Sequence, residues 1–148
     1  MIKRWLAIGL SGLTLIGCAL RGETLPTEPT AEQQQAMQTP EGTVQLYGDL
    51  IQRDQFTAIA PLLTDDYRAQ VISEGNGSLS RFYERINRSF AGPVVGWSVD
   101  DERQTSDTTA EVDLRIRYEH GVPDGDPYVA DLEKVGSLWK IAYLRSVP

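Results

Sequence analysis

From Ala110 to Glu119 the chain alternates between apolar and polar residues without a break. Ala110, Val112, Leu114, Ile116 and Tyr118 fall on one side, and Glu111, Asp113, Arg115, Arg117 and Glu119 on the other. A strict period of two predicts an antiparallel strand with one face buried and the other in water. Val95, Trp97 and Val99 alternate in the same way and predict a strand before it. Tyr128–Val135 and Leu138–Val147 predict a hairpin closed by Gly136-Ser137, whose leading glycine suits a type II′ turn. Gly121–Pro127 is the turn-rich connection into that hairpin.

Before Pro93 the period is helical. Thr39-Pro40 supplies an N-cap and a first helical residue. Val44, Tyr47, Leu50 and Ile51 then recur on one face, with Gln45, Asp49, Gln52 and Arg53 opposite, and Asp54-Gln55-Phe56 closes the helix. Thr57–Leu63 predicts a short second helix whose regularity Pro61 limits. Thr64-Asp65-Asp66-Tyr67 is a turn or a further helix start. After the break at Glu74-Gly75-Asn76-Gly77, Ser78 or Ser80 caps a helix predicted to run to about Phe90. Leu79, Phe82, Tyr83, Ile86 and Phe90 form its apolar stripe, and Arg81, Arg85 and Arg88 the opposite face. Helices followed by an antiparallel meander define an α+β fold in which the helices cover one face of the sheet.

Residues 39–148 are therefore expected to form one domain, large enough to build a core without metals or disulfides. Residues 18–38 are expected to be a disordered tether: prolines, threonines, glutamates and Gln33-Gln34-Gln35 offer few large apolar side chains to bury. Within it, Ala31–Met37 is at most a frayed turn. Residues 1–17 read as an export leader, with basic Lys3 and Arg4 ahead of an apolar run from Trp5 to Ile16. That run is too short to cross a bilayer as a helix.

The end of the leader resembles the lipobox of bacterial lipoproteins in Leu15-Ile16-Gly17-Cys18. The resemblance implies that Cys18 is lipidated, the leader removed before it and the new amino group acylated. The domain would then face the periplasm or the exterior, held to a membrane by its lipid anchor. Ala19, where aspartate favours inner-membrane retention in that family, leans toward the outer membrane. An ordinary secreted protein and an uncleaved anchor helix are the alternatives.

The domain resembles the nuclear transport factor 2-like superfamily, the cone-shaped fold that includes ketosteroid isomerase. The resemblance rests on the opening helix ending at Asp54-Gln55-Phe56, the short helix with Leu62-Leu63, and the long amphipathic helix. Gly136-Ser137-Leu138-Trp139-Lys140-Ile141 in the last hairpin completes it. It implies helices on a curved antiparallel sheet with a pocket between them. Its lining would come from Tyr47, Leu50, Phe82, Ile86, Trp97, Tyr118 and Trp139, unless these side chains simply fill the core. His120, the only histidine, belongs either at the pocket mouth or in a turn beyond the strand.

Charge narrows the function further. The chain carries a net charge of −7, and loss of Lys3 and Arg4 leaves twelve basic against 21 acidic residues. Such a balance argues against non-specific nucleic-acid binding. The Arg81/Arg85/Arg88 face is the one local basic feature, either solvated or a docking surface. Asp124-Gly125-Asp126 with Glu119 lacks the oxygen ligands of a dedicated calcium loop. One histidine and one cysteine are too few for a typical zinc site. No metal or cofactor is expected, and no catalytic set is recognisable. The sequence thus predicts a non-catalytic envelope lipoprotein that binds a partner protein or a small apolar ligand. A small isomerase or dehydratase working in the pocket is the first alternative, and a structural subunit with a filled pocket the second.

Overall fold

The sheet is a four-stranded antiparallel meander in the order β1-β2-β3-β4, seen in a computed structural model that describes residues 22–89 and 91–148. The strands are β1 Val94–Gln104, β2 Thr109–Tyr118, β3 Asp126–Val135 and β4 Leu138–Ser146. The helices α1 Ala31–Ala36, α2 Pro40–Gln52, α3 Asp65–Glu74 and α4 Leu79–Asn87 precede them, with a 3-10 helix at Phe56–Leu62. The α+β class expected from the sequence is therefore the observed one. The leader, Cys18 and Phe90 lie outside the described residues.

Local chemistry sets the helix ends. Thr39 caps α2 through Gly42 N–H with Pro40 just inside it, Thr64 caps α3 through Tyr67 N–H, and Ser78 caps α4 through Arg81 N–H. Of the two serines considered for α4, Ser78 is the cap. The segment after Gln55 stays in the tighter 3-10 form, with Pro61 inside it. Asn76 (φ 54°) and Gly77 (φ +85°) turn the chain between α3 and α4 in left-handed conformations.

β2 has the burial its alternation predicts: Ala110, Val112, Leu114 and Ile116 are buried against the helices. β1 departs from expectation. A register shift between Val94 and Gly96 turns Val94 inward and leaves Val95 exposed. Gly136 has φ +64° and Ser137 stays out of that region, as a type II′ turn requires. The solvent face carries an ion-pair lattice in which Arg103 meets Asp101, Glu111 and Asp113 while Arg145 meets Glu111 and Asp131. Hydrogen bonding to Arg103 holds the Asp113 carboxyl below its usual pKa. Water screens such exposed pairs, so they add little stability individually.

The tether expected over 18–38 is not what residues 22–38 form. Thr30 and Gln33 close a reciprocal capping box on α1. Gln33 is buried, and its Nε2 donates to Ala58 O at 2.9 Å. Met37 is fully buried, and its carbonyl accepts from Trp139 N–H at 2.9 Å. Leu25 packs against the core, and Glu23 accepts from Leu79 N–H at 2.7 Å and Ser80 N–H at 3.0 Å. Few apolar residues suffice here because polar side chains find main-chain partners on the folded domain. Together with Leu63, which bridges to Ile141, this chain covers part of the β4 edge.

Burial opposes ionisation of Glu23, but hydrogen bonds from Ser80, Leu79 and Ser78 outweigh it and lower its pKa below 4.5. Its contribution is thus present above the unfolded value and lost as pH falls through the lower folded value. Below about pH 4.5 the stability of the wild-type chain should fall more steeply than that of Glu23→Gln. Urea midpoints measured across that range test this, and parallel curves would contradict it.

Candidate functional site

Three helices and all four strands send aromatic or aliphatic side chains toward one space. From α2 come Tyr47 and Ile51, one helical turn apart, and α3 adds Tyr67. From α4 come Phe82, Tyr83 and Ile86. The sheet adds Val94, Trp97, Ile116, Tyr118, Tyr128 and Leu144. They line a cavity of ≈ 220 Å³ between helices and sheet, partly open to solvent. Five of the six tyrosines in the chain line it.

The wall is held by ring contacts and phenol pairs. Tyr47 OH donates to Tyr83 OH at 3.0 Å, and the hydroxyls of Tyr118 and Tyr128 are 3.3 Å apart. Tyr83 stacks on Phe56 with centroids 5.8 Å apart and meets Tyr47 and Phe82 edge to face at 5.9 and 5.1 Å. Trp97 meets Tyr47 edge to face at 5.6 Å and lies flat enough on α2 that a Cβ at Gly48 would overlap its indole. Among the described residues, the Trp97 indole N–H is buried without a partner.

Burial makes four of these phenolates expensive. It raises Tyr47 and Tyr83 well above the ordinary value of 10, with the neighbouring phenol adding to the rise at Tyr47. Burial also pushes Tyr67 up to about 12. Burial, then the hydrogen bond with Tyr128, raises Tyr118. All four stay protonated at neutral pH and present neutral hydroxyls. Among the described residues, the cavity walls contain no carboxylate and no imidazole.

Of the lining predicted from sequence, Tyr47, Phe82, Ile86, Trp97 and Tyr118 come together at the cavity. Leu50 is buried in the core away from it. Trp139 is also buried elsewhere: its carbonyl accepts from Thr43 Oγ1 at 3.1 Å, and Lys134 lies over its ring. His120 lies in the turn after β2, its side chain 68% exposed and its N–H donating to Ala91 O. It falls beyond the strand end, so period 2 no longer aims it inward. Ile116, Tyr128 and Tyr83 were not assigned to the lining, although Ile116 lies on the same period-2 face as Tyr118. The pairing of Leu114 with Tyr128 then brings Tyr128 to that face.

Arg81 and Arg85 are exposed on α4 and Arg88 is exposed at its C-cap, since the helix ends at Asn87 rather than near Phe90. Arg85 lies over the Phe82 ring at 5.7 Å and is not among the residues that line the cavity. Among the described residues no group of three or more His, Cys, Asp or Glu side chains is placed to hold a metal ion. Likewise, among those residues no helix is long and apolar enough to cross a membrane.

This cavity and sheet define an α+β protein with an aromatic pocket between its layers. No protein-family model matches the chain, and no curated protein matches it. A solved structure does: a SEC-C motif containing protein from Rhodopseudomonas palustris, determined in solution. It superposes with a TM-score of 0.58 at 12% identity, over 76% of this chain and 81% of that one. Likeness at that identity is likeness of fold alone.

That neighbour overturns the cone-fold resemblance drawn from the sequence. The matching fold is that of a SEC-C motif protein, not a nuclear transport factor 2-like or ketosteroid isomerase-like cone domain. The lipobox resemblance of Leu15-Ile16-Gly17-Cys18 finds no support in the comparisons either. The physical reason is that the features behind the cone resemblance are generic. Helices before a meander suit any α+β layer. Gly136-Ser137 is needed by a hairpin turn, and Trp139 and Ile141 by the core behind it.

Proposed function

We propose that the domain is a non-catalytic binding module that takes a small, uncharged, largely apolar molecule into the tyrosine-lined cavity. The observation that carries this is a partly open space walled by aromatic and aliphatic side chains, whose buried hydroxyls are neutral. A charged ligand would lose its hydration there with no counter-charge to replace it. A general acid or base would need a titratable group placed in the wall, whereas these phenols are held away from neutrality. The volume of ≈ 220 Å³ lies between about 150 Å³, which holds benzene, and the roughly 300 Å³ where drug-sized pockets begin. A single ring with a few substituents fits that range. The leader pattern of residues 1–17 supports export, so the binding would take place outside the cytoplasm.

Fluorine NMR with 4-fluorotoluene as probe tests the reading. The wild-type chain should show saturable binding. Ile86→Trp, which fills the cavity, should weaken it at least about tenfold, the effect of about 1.4 kcal/mol. His120→Ala, remote and exposed, should leave it unchanged. Equal binding by the wild type and Ile86→Trp would remove the cavity as the site.

A further inference from the structure

The helix that walls one side of the cavity has a left-handed glycine on either side of it in the chain. Gly77 (φ +85°) precedes α4 and Gly92 (φ +77°) follows it, both in conformations glycine adopts freely. The neighbours of α4 in the fold are mainly α3 and the 3-10 helix, and its inward side chains Phe82, Tyr83 and Ile86 face the cavity. Its side-chain hydrogen bonds to the rest of the domain are few: Tyr83 to Tyr47 at 3.0 Å, Asn87 to Asp54 at 3.2 Å, and the two amides held by Glu23.

Those two amides are the first two of the helix. Ser78 Oγ takes the third, so Glu23 satisfies the donors that the local cap leaves over. A carboxylate is favoured there by the helix dipole as well. It arrives from a segment distant in sequence, which docks through Leu25 and continues into the Thr30 cap of α1.

We propose that α4 is the door of the tyrosine-lined cavity and that Glu23 is its latch. With Glu23 seated, α4 is fixed and its side chains hold the cavity wall in place. With Glu23 released, α4 moves about Gly77 and Gly92 and the cavity exchanges its contents with solvent. The role as a door rests on the cavity being the binding site; the latch itself does not.

Hydrogen exchange on the full chain, with the 4-fluorotoluene probe, tests both parts. Loss of a cap shifts a local opening equilibrium by about tenfold. Amides of α4 should therefore exchange about tenfold faster in Glu23→Ala and less so in Glu23→Gln, while those of β2 and β3 stay unchanged. Glu28→Ala, which removes the same charge from the same segment, should behave as wild type. Probe release should quicken with α4 exchange, at nearly constant affinity, because opening gates entry and exit alike. Unchanged α4 exchange in Glu23→Ala, or equal acceleration in Glu28→Ala, overturns the latch even if the probe binds normally. Faster α4 exchange with no probe binding in either protein overturns the ligand reading and the door with it, and leaves the latch in place.

Discussion

Tyr83→Ala is expected to destabilise the domain by about 3–5 kcal/mol, the range for removing a large buried aromatic. Tyr83 is 2% exposed, and it is where the ring contacts of three elements meet. Phe56 stacks on it from the 3-10 helix, Tyr47 meets its edge from α2, and Phe82 packs beside it on α4. Removing the ring leaves a hole bordered by three others and strands the Tyr47 hydroxyl. Tyr83→Phe isolates the polar part: it keeps the rings and removes the acceptor of the 3.0 Å bond. Its expected cost is about 1–3 kcal/mol, that of a buried donor left without a partner. Urea denaturation of both variants measures the two contributions. A loss under about 1 kcal/mol for Tyr83→Ala would mean that α4 is not packed against this cluster.

Leu114→Ala should cost about 2–5 kcal/mol and Arg115→Ala no more than about 0.5 kcal/mol, although the two are adjacent on β2. Leu114 is 1% exposed and paired with Val99 and Tyr128 in the middle of the sheet. Arg115 faces water and contacts Asp100 at 2.9 Å, with both side chains nearly half exposed. Coulomb attraction there is screened, and holding two long side chains costs entropy. Similar losses for both variants in the same urea titration would contradict the register.

β2 was legible because ten residues of unbroken alternation leave a single choice of buried face. The helix starts were legible for a related reason: Thr39-Pro40, Thr64 and Ser78 are cap residues whose side chains act within three residues of themselves. What alternation hides is a bulge. The extra residue at Val95 is invisible to a period-2 reading, since the shift depends on how β1 pairs with β2. The cavity was legible by half for the same reason. Periodicity says which side chains point inward, but whether they meet in one space depends on pairings such as Leu114 with Tyr128. Of the two places the sequence allows for His120, the pocket mouth and a turn beyond the strand, the structure has the turn.

The segment before residue 39 was misread for a different reason. Composition measures the ability to form a core alone, and residues 22–38 do not need one. They borrow it: Gln33 reaches Ala58, Met37 fills a site with no exposure, and Glu23 reaches α4.

This borrowing bears on how the domain can be cut from its chain. A fragment beginning at Thr39, where composition suggests a natural boundary, would lack the carbonyl that Trp139 N–H uses and the side chain that fills the Met37 site. It would also bare part of β4 to any second copy able to add a strand there. Self-association or weak folding of such a fragment would be a property of the cut, and a faithful unit has to include Glu23.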